Sequence, residues 1–191
     1  MKIAEYGGVL SRLLKEARHA FPERSVFARA ANDVLAMAGA YQSDGRTFHE
    51  EGDLVNALAG FAYGMGWLDA GCSIGLLSCR ETTCHPAGTM DEKLPDSQND
   101  RLCEKTLRYR GMFAEALSVI ERSPDRDSHL YTGSMRFFAV AQSCYEKGVR
   151  YLEERDDAAA LACFSYGYAW LDAGVRIGLF RILAKRDLFT V

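Results

Sequence analysis

The residues best placed to do chemistry come in two matched sets. Tyr63, Trp67 and Asp69 recur as Tyr166, Trp170 and Asp172, each set inside the most apolar stretch of its half of the chain. An acid beside a tryptophan and a tyrosine could line a pocket for a cation or a polar ligand, with the rings offering faces to a planar molecule or a base. A plainer reading has the carboxylate accept a hydrogen bond from a Tyr or Trp donor and so fix helix register. Aromatics at helical spacing on an apolar helix then belong to the core. Arg176, four residues beyond Asp172, offers that acid a helical ion pair. The packing role is the simpler account, and the site role stands beside it.

Other candidate chemistry is thinner. Cys79, Cys84 and His85 form the one cluster with ligand character, but Cys-x4-Cys-His lacks the second paired half of a zinc ribbon or finger. We therefore expect no metal there. The remaining cysteines, Cys72, Cys103, Cys144 and Cys163, complete a set that is not a disulfide framework, and Cys72 and Cys163 read as small buried apolar side chains. Arg12-x6-His19, Arg80-x4-His85 and Arg122-x6-His129 match the Arg-x4-6-His spacing of small helical HEPN-type RNases. None of these pairs recurs in the other half of the chain, where Glu115 and Arg122 stand opposite Arg12 and His19. No Gly-x-Ser-x-Gly, P-loop, His-Glu-x-x-His or dinucleotide fingerprint is present. No residue is assigned a catalytic role, no cofactor is expected, and the protein reads more as a non-enzyme than an enzyme, with a HEPN-like RNase as the third reading.

The bulk composition agrees. The chain has 191 residues, 48% hydrophobic and 26% charged, with a formal net charge of −3. Such a charge argues against a broad, sequence-independent grip on nucleic acid. By segment the charge is −2 over residues 1–79, −3 over 80–100 and +2 over 101–191, so an anionic partner would favour the C-terminal part. The N-terminus leads into an amphipathic pattern instead of a signal peptide. The apolar stretch 57–77 approaches the length of a membrane span, yet it holds Asp69, and its copy holds Asp172 and Arg176. A buried helix fits better. We expect a cytoplasmic protein, off the membrane.

What positions the two sets is a duplication. With an offset of 103, residues 52–76 and 155–179 align without gaps and share 15 identities in 25, including Trp67–Gly71 over Trp170–Gly174. Ordinary composition would give about one or two. Each copy divides into three helices, near 2–19, 25–51 and 53–79, then 101–121, 128–154 and 156–186. The middle helices carry the stripes Val34, Met37, Ala38, Tyr41, Gly45, Phe48 and Phe137, Val140, Ala141, Cys144, Gly148, Tyr151. The glycine on each stripe costs about 1 kcal/mol against alanine, which points to close approach by a neighbouring helix. Ser25, Asp127 or Ser128, Asp53 and Asp156 stand where N-caps are needed. The third helix is apolar or small nearly all round, as a central helix must be. One face should pack within its own copy and the other should meet the second copy, with Gly71-x3-Gly75 and Gly174-x3-Gly178 as crossing sites. No useful run shows the period-2 alternation of a strand.

The repeated pattern Asp-x3-Ala-Leu-Ala-x-Phe-x-Tyr-Gly-x2-Trp-Leu-Asp-Ala-Gly resembles the archaeal family catalogued as domain of unknown function 357. The resemblance is strongest over about 25 residues per copy and implies an archaeal source and a helical hairpin or bundle. It brings no activity. The expected architecture is all-α: a first three-helix unit over 1–79, a polar linker over 80–100 and a second unit over 101–191, packed with pseudo-two-fold symmetry. The expected role is a scaffold or binding module acting through a protein or RNA partner, as a monomer or weak homodimer. The alternative is a small-molecule or metal site between the copies near Asp69 and Asp172.

Overall fold

The computed structural model describes residues 1–79 and 92–190. Copy one supplies α1 (Ile3–Glu16), α2 (Val26–Glu50) and α3 (Leu54–Ser73). A short 3-10 turn (Asp96–Gln98) leads into copy two, with α4 (Asn99–Ser118), β1 (Ile120–Arg122), α5 (His129–Glu153), α6 (Asp157–Arg176) and β2 (Phe180–Ile182). A last 3-10 turn, Arg186–Leu188, follows β2. The fold is all-α in two similar units.

The starts of the helices follow their caps. Ser25 Oγ accepts from Ala28 N at 3.0 Å, and Asp53 Oδ1 accepts from Asn56 N at 3.1 Å. Ser128 and Asp156 do the same for α5 and α6, taking Leu130 N at 3.1 Å and Ala159 N at 2.9 Å. Each cap satisfies a backbone donor that the first turn leaves unpaired.

The ends differ from expectation. Both third helices stop earlier than 79 and 186, because Gly75 and Gly178 take φ values of 77° and 82° and turn the chain back. A residue without a Cβ adopts that conformation at little cost. In copy two the returning chain pairs with the segment after α4, and β1 and β2 run antiparallel with Ile120 opposite Ile182. Copy one keeps a single bridge, Arg18 opposite Ser78. Strands of three residues are too short for alternation to announce them.

The reversal at Gly75 also corrects the reading of the cysteines. Cys72 and Cys79 form a disulfide, their Cα atoms 5.9 Å apart. The turn folds residue 79 back against the last turn of α3, within bridging range. Cys72 is therefore not a free apolar side chain. Cys103, Cys144 and Cys163 stand outside any disulfide.

α3 and α6 form the centre, packed on each other, with α2 against α3 and both α4 and α5 against α6. Every residue from Ala57 to Gly71 and from Ala159 to Gly174 is buried. The stripe glycines do admit a neighbour. A Cβ on Gly45 would stand 2.7 Å from the Phe61 ring, and one on Gly148 would strike Phe164. The close crossing between copies belongs to a different glycine from those expected. A Cβ on Gly66 would collide with the carbonyl oxygen of Tyr166 and stand 2.7 Å from the Ala169 methyl group. Gly71 instead faces Val34 and Leu77 of its own copy, and Gly174 faces Phe180 and Phe137 of its own.

Candidate functional site

The α3–α6 crossing brings the two matched sets together reciprocally. Tyr166 Oη donates to Asp69 Oδ2 at 2.7 Å, and Tyr63 Oη donates to Asp172 Oδ2. Each tyrosine thus bonds the acid of the opposite copy. Asp172 is fully buried and Asp69 is 9% exposed. The tryptophans take no part in these bonds to the acids. Trp67 Nε1 is buried without an acceptor among the described residues, and Trp170 lays its ring edgewise on Phe137 with centroids 4.9 Å apart. Arg176 does not pair with Asp172. It reaches across to Asp33 of copy one at 2.9 Å, because Asp172 points inward at the crossing while Arg176 ends the helix at the surface.

The two acids then part company. Asp172 opens onto a cleft of about 240 Å³ between the copies, walled by α2, α3, α4, α6 and the C-terminal segment. Tyr41, Tyr63, Tyr109 and Tyr168 ring it, with Asp44 and Lys105 as its other charged residues. Thr190 N donates to Asp172 Oδ1 at 3.3 Å, and Tyr168 Oη donates to Leu188 O at 2.5 Å, so the C-terminal segment forms part of the wall. Burial pushes the Asp172 carboxyl up to about 6, against the pull of the Tyr63 and Thr190 hydrogen bonds. Burial, and then the charge of Asp172, raises the Tyr63 phenol well above its ordinary value.

Around Asp69 several of the equivalent positions carry other residues. Tyr41, Gly60, Tyr109 and Tyr168 correspond to Cys144, Cys163, Tyr6 and Met65, none of them more than 2% exposed. Burial drives the Cys144 thiol up to about 12 and raises that of Cys163 further, so both are inert apolar filling. Sequence reasoning named the acids and the tyrosines that bind them but missed Tyr41, Asp44, Lys105, Tyr109 and Tyr168. Their signal was divergence: Asp44 faces Lys147 in the alignment, Tyr41 faces Cys144 and Asn56 faces Ala159.

A family model described as "Protein of unknown function (DUF357)" matches the chain twice, over residues 5–77 and 108–180. The chain belongs to the DUF357 family. It carries two copies of that domain, and the reciprocal Tyr–Asp bonds join one to the other. No curated protein and no solved structure matches the chain.

The remaining candidates are scattered. His19 Nε2 lies 3.1 Å from Asn32 Oδ1, and Arg122 sits over the rings of Tyr131 and Phe138 at 5.9 and 5.2 Å. Arg80, Cys84 and His85 lie outside the described residues. Cys79 is held in the disulfide and offers no thiolate. Among the described residues no three His, Cys, Asp or Glu side chains are grouped to hold a metal. Among them, too, no helix is long and apolar enough to cross a membrane.

Proposed function

We propose that this DUF357 tandem is a non-catalytic binding module that holds a small polar molecule in the cleft beside Asp172. One observation carries the reading: the Asp172–Tyr63 pair lines a cleft walled by aromatic rings and further polar side chains. A purely structural pair would have no reason to keep polar groups around an opening. Concave sites lined by rings and a few convergent polar groups are where small ligands bind. At about 240 Å³ the space suits a metabolite of modest size.

The test is thermal-shift screening of a metabolite library with wild type and Met112→Trp, which fills the cleft from the α4 side. A compound should raise the wild-type melting temperature and leave the variant unmoved, with helical content and unliganded stability of the variant near wild type. If no compound shifts the wild type, or if the shifts survive in Met112→Trp, the cleft is not the site. A protein partner is the second reading, favoured by Val26 and Phe27, which stand 69% and 57% exposed beside Phe21. Phe27→Asp should then abolish capture of that partner.

A further inference from the structure

The cleft beside Asp172 has two poles. At one, the carboxylate is fully buried, takes the Tyr63 hydroxyl and the Thr190 amide and side chain, and has no Lys, Arg or His partner among the described residues. The Tyr41 and Tyr63 rings lie near it, their centroids 4.3 Å apart. A buried acid walled by aromatic faces favours an organic cation, which gains both the charge contact and the ring quadrupoles.

At the other pole stands Lys105, part-buried, its ammonium donating to Asn56 Oδ1 and lying 5.2 Å from the Tyr109 ring centroid. Arg101, one turn away, is spent on Asp53 at 2.7 Å. Burial lowers the Lys105 pKa, and the neighbouring Arg108 and Arg101 lower it further against the pull of Asp53. An anion placed against Lys105 relieves that crowding of positive charge.

Each charge is incompletely neutralised, and both line one small space. A simple anion would face Asp172 and Asp44, and a dication would face Lys105. Resting on the reading of the cleft as a ligand site, we propose that it takes a small zwitterion carrying an amine and a carboxylate. In the bound state the ammonium lies toward Asp172 and the carboxylate toward Lys105.

Isothermal titration with the twenty standard L-amino acids tests this on wild type, Asp172→Asn and Lys105→Met. Each amino acid that binds is compared with its decarboxylated amine and its deaminated acid. At least one amino acid should bind, and losing either charged group should weaken it by at least about tenfold. Lys105→Met should weaken the amino acid similarly while leaving the amine's affinity unchanged. That variant sits at the part-buried pole and keeps the test decisive if Asp172→Asn fails to fold. An amine or an acid that binds as tightly as its amino acid overturns the zwitterion. So does a panel without binders when library compounds still give shifts that Met112→Trp abolishes, and there the cleft reading survives. Silence in both the panel and the library overturns the cleft reading itself.

Discussion

Asp172 and Asp69 began as identical residues in a duplicated sequence and now occupy different surroundings. The burial of Asp172 has a consequence for stability. Its carboxyl rises from 3.8 to about 6 on folding, so the native state holds that proton to higher pH than the unfolded chain does. Its contribution is therefore most favourable below about pH 4, falls as pH rises to about 6, and stays at its lowest above that. A shift of about two units corresponds to about 3 kcal/mol. Asparagine keeps the shape and an oxygen for Tyr63 but has nothing to ionise. Denaturant melts should show Asp172→Asn gaining on wild type by about 2–3 kcal/mol between about pH 4 and about pH 7.5. A difference that stays flat across that range would mean the carboxylate suffers no burial penalty.

At the scale of elements, the crossing of α3 and α6 depends on one position lacking a side chain. Gly66 lets the backbone of α3 approach the Tyr166 carbonyl, and its counterpart Ala169 supplies the methyl group that meets it. A methyl at 66 must push the helices apart, since the obstacle is backbone and cannot rotate aside. Gly66→Ala should cost about 1–3 kcal/mol through overpacking, outweighing the propensity gain of about 1 kcal/mol that alanine brings to a helix. Gly39, in α2, has open space around it and is the matched control. Gly39→Ala should be neutral or stabilising. Equal melting temperatures for the two variants would show that the helices cross with room for a methyl group at position 66.

For the molecule as a whole, α3 and α6 are each other's core. Their facing surfaces are buried along most of their length, and Tyr63–Asp172, Tyr166–Asp69 and Arg176–Asp33 all run from one copy to the other. Gln98, just before α4, also caps copy one, accepting from Leu54 N at 3.1 Å and donating to Gly52 O at 2.7 Å. Unfolding either copy would bare the central helix of its twin. Calorimetry should therefore show one cooperative transition, with calorimetric and van't Hoff enthalpies in agreement. Two separable transitions would mean that each copy is stable alone.

The sequence by itself determined the duplication, the all-α class, the caps at Ser25, Asp53 and Asp156, and the central place of the third helix. These are local or periodic properties: a cap acts within three residues, and an all-round apolar helix has to be buried. Tertiary structure alone decided which groups meet. Whether Asp69 and Asp172 bond a tryptophan or a tyrosine, and of which copy, depends on the crossing set by Gly66 rather than on spacing along one helix. The turn at Gly75 brought Cys79 back to Cys72, and Arg176 chose Asp33 over its helical neighbour Asp172. The cleft was the least legible feature. Its walls come from five separate segments, and its lining differs between the copies, with Tyr41, Asn56 and Gly60 standing where the other copy has Cys144, Ala159 and Cys163. Such a difference acquires meaning only when the segments are brought together in space.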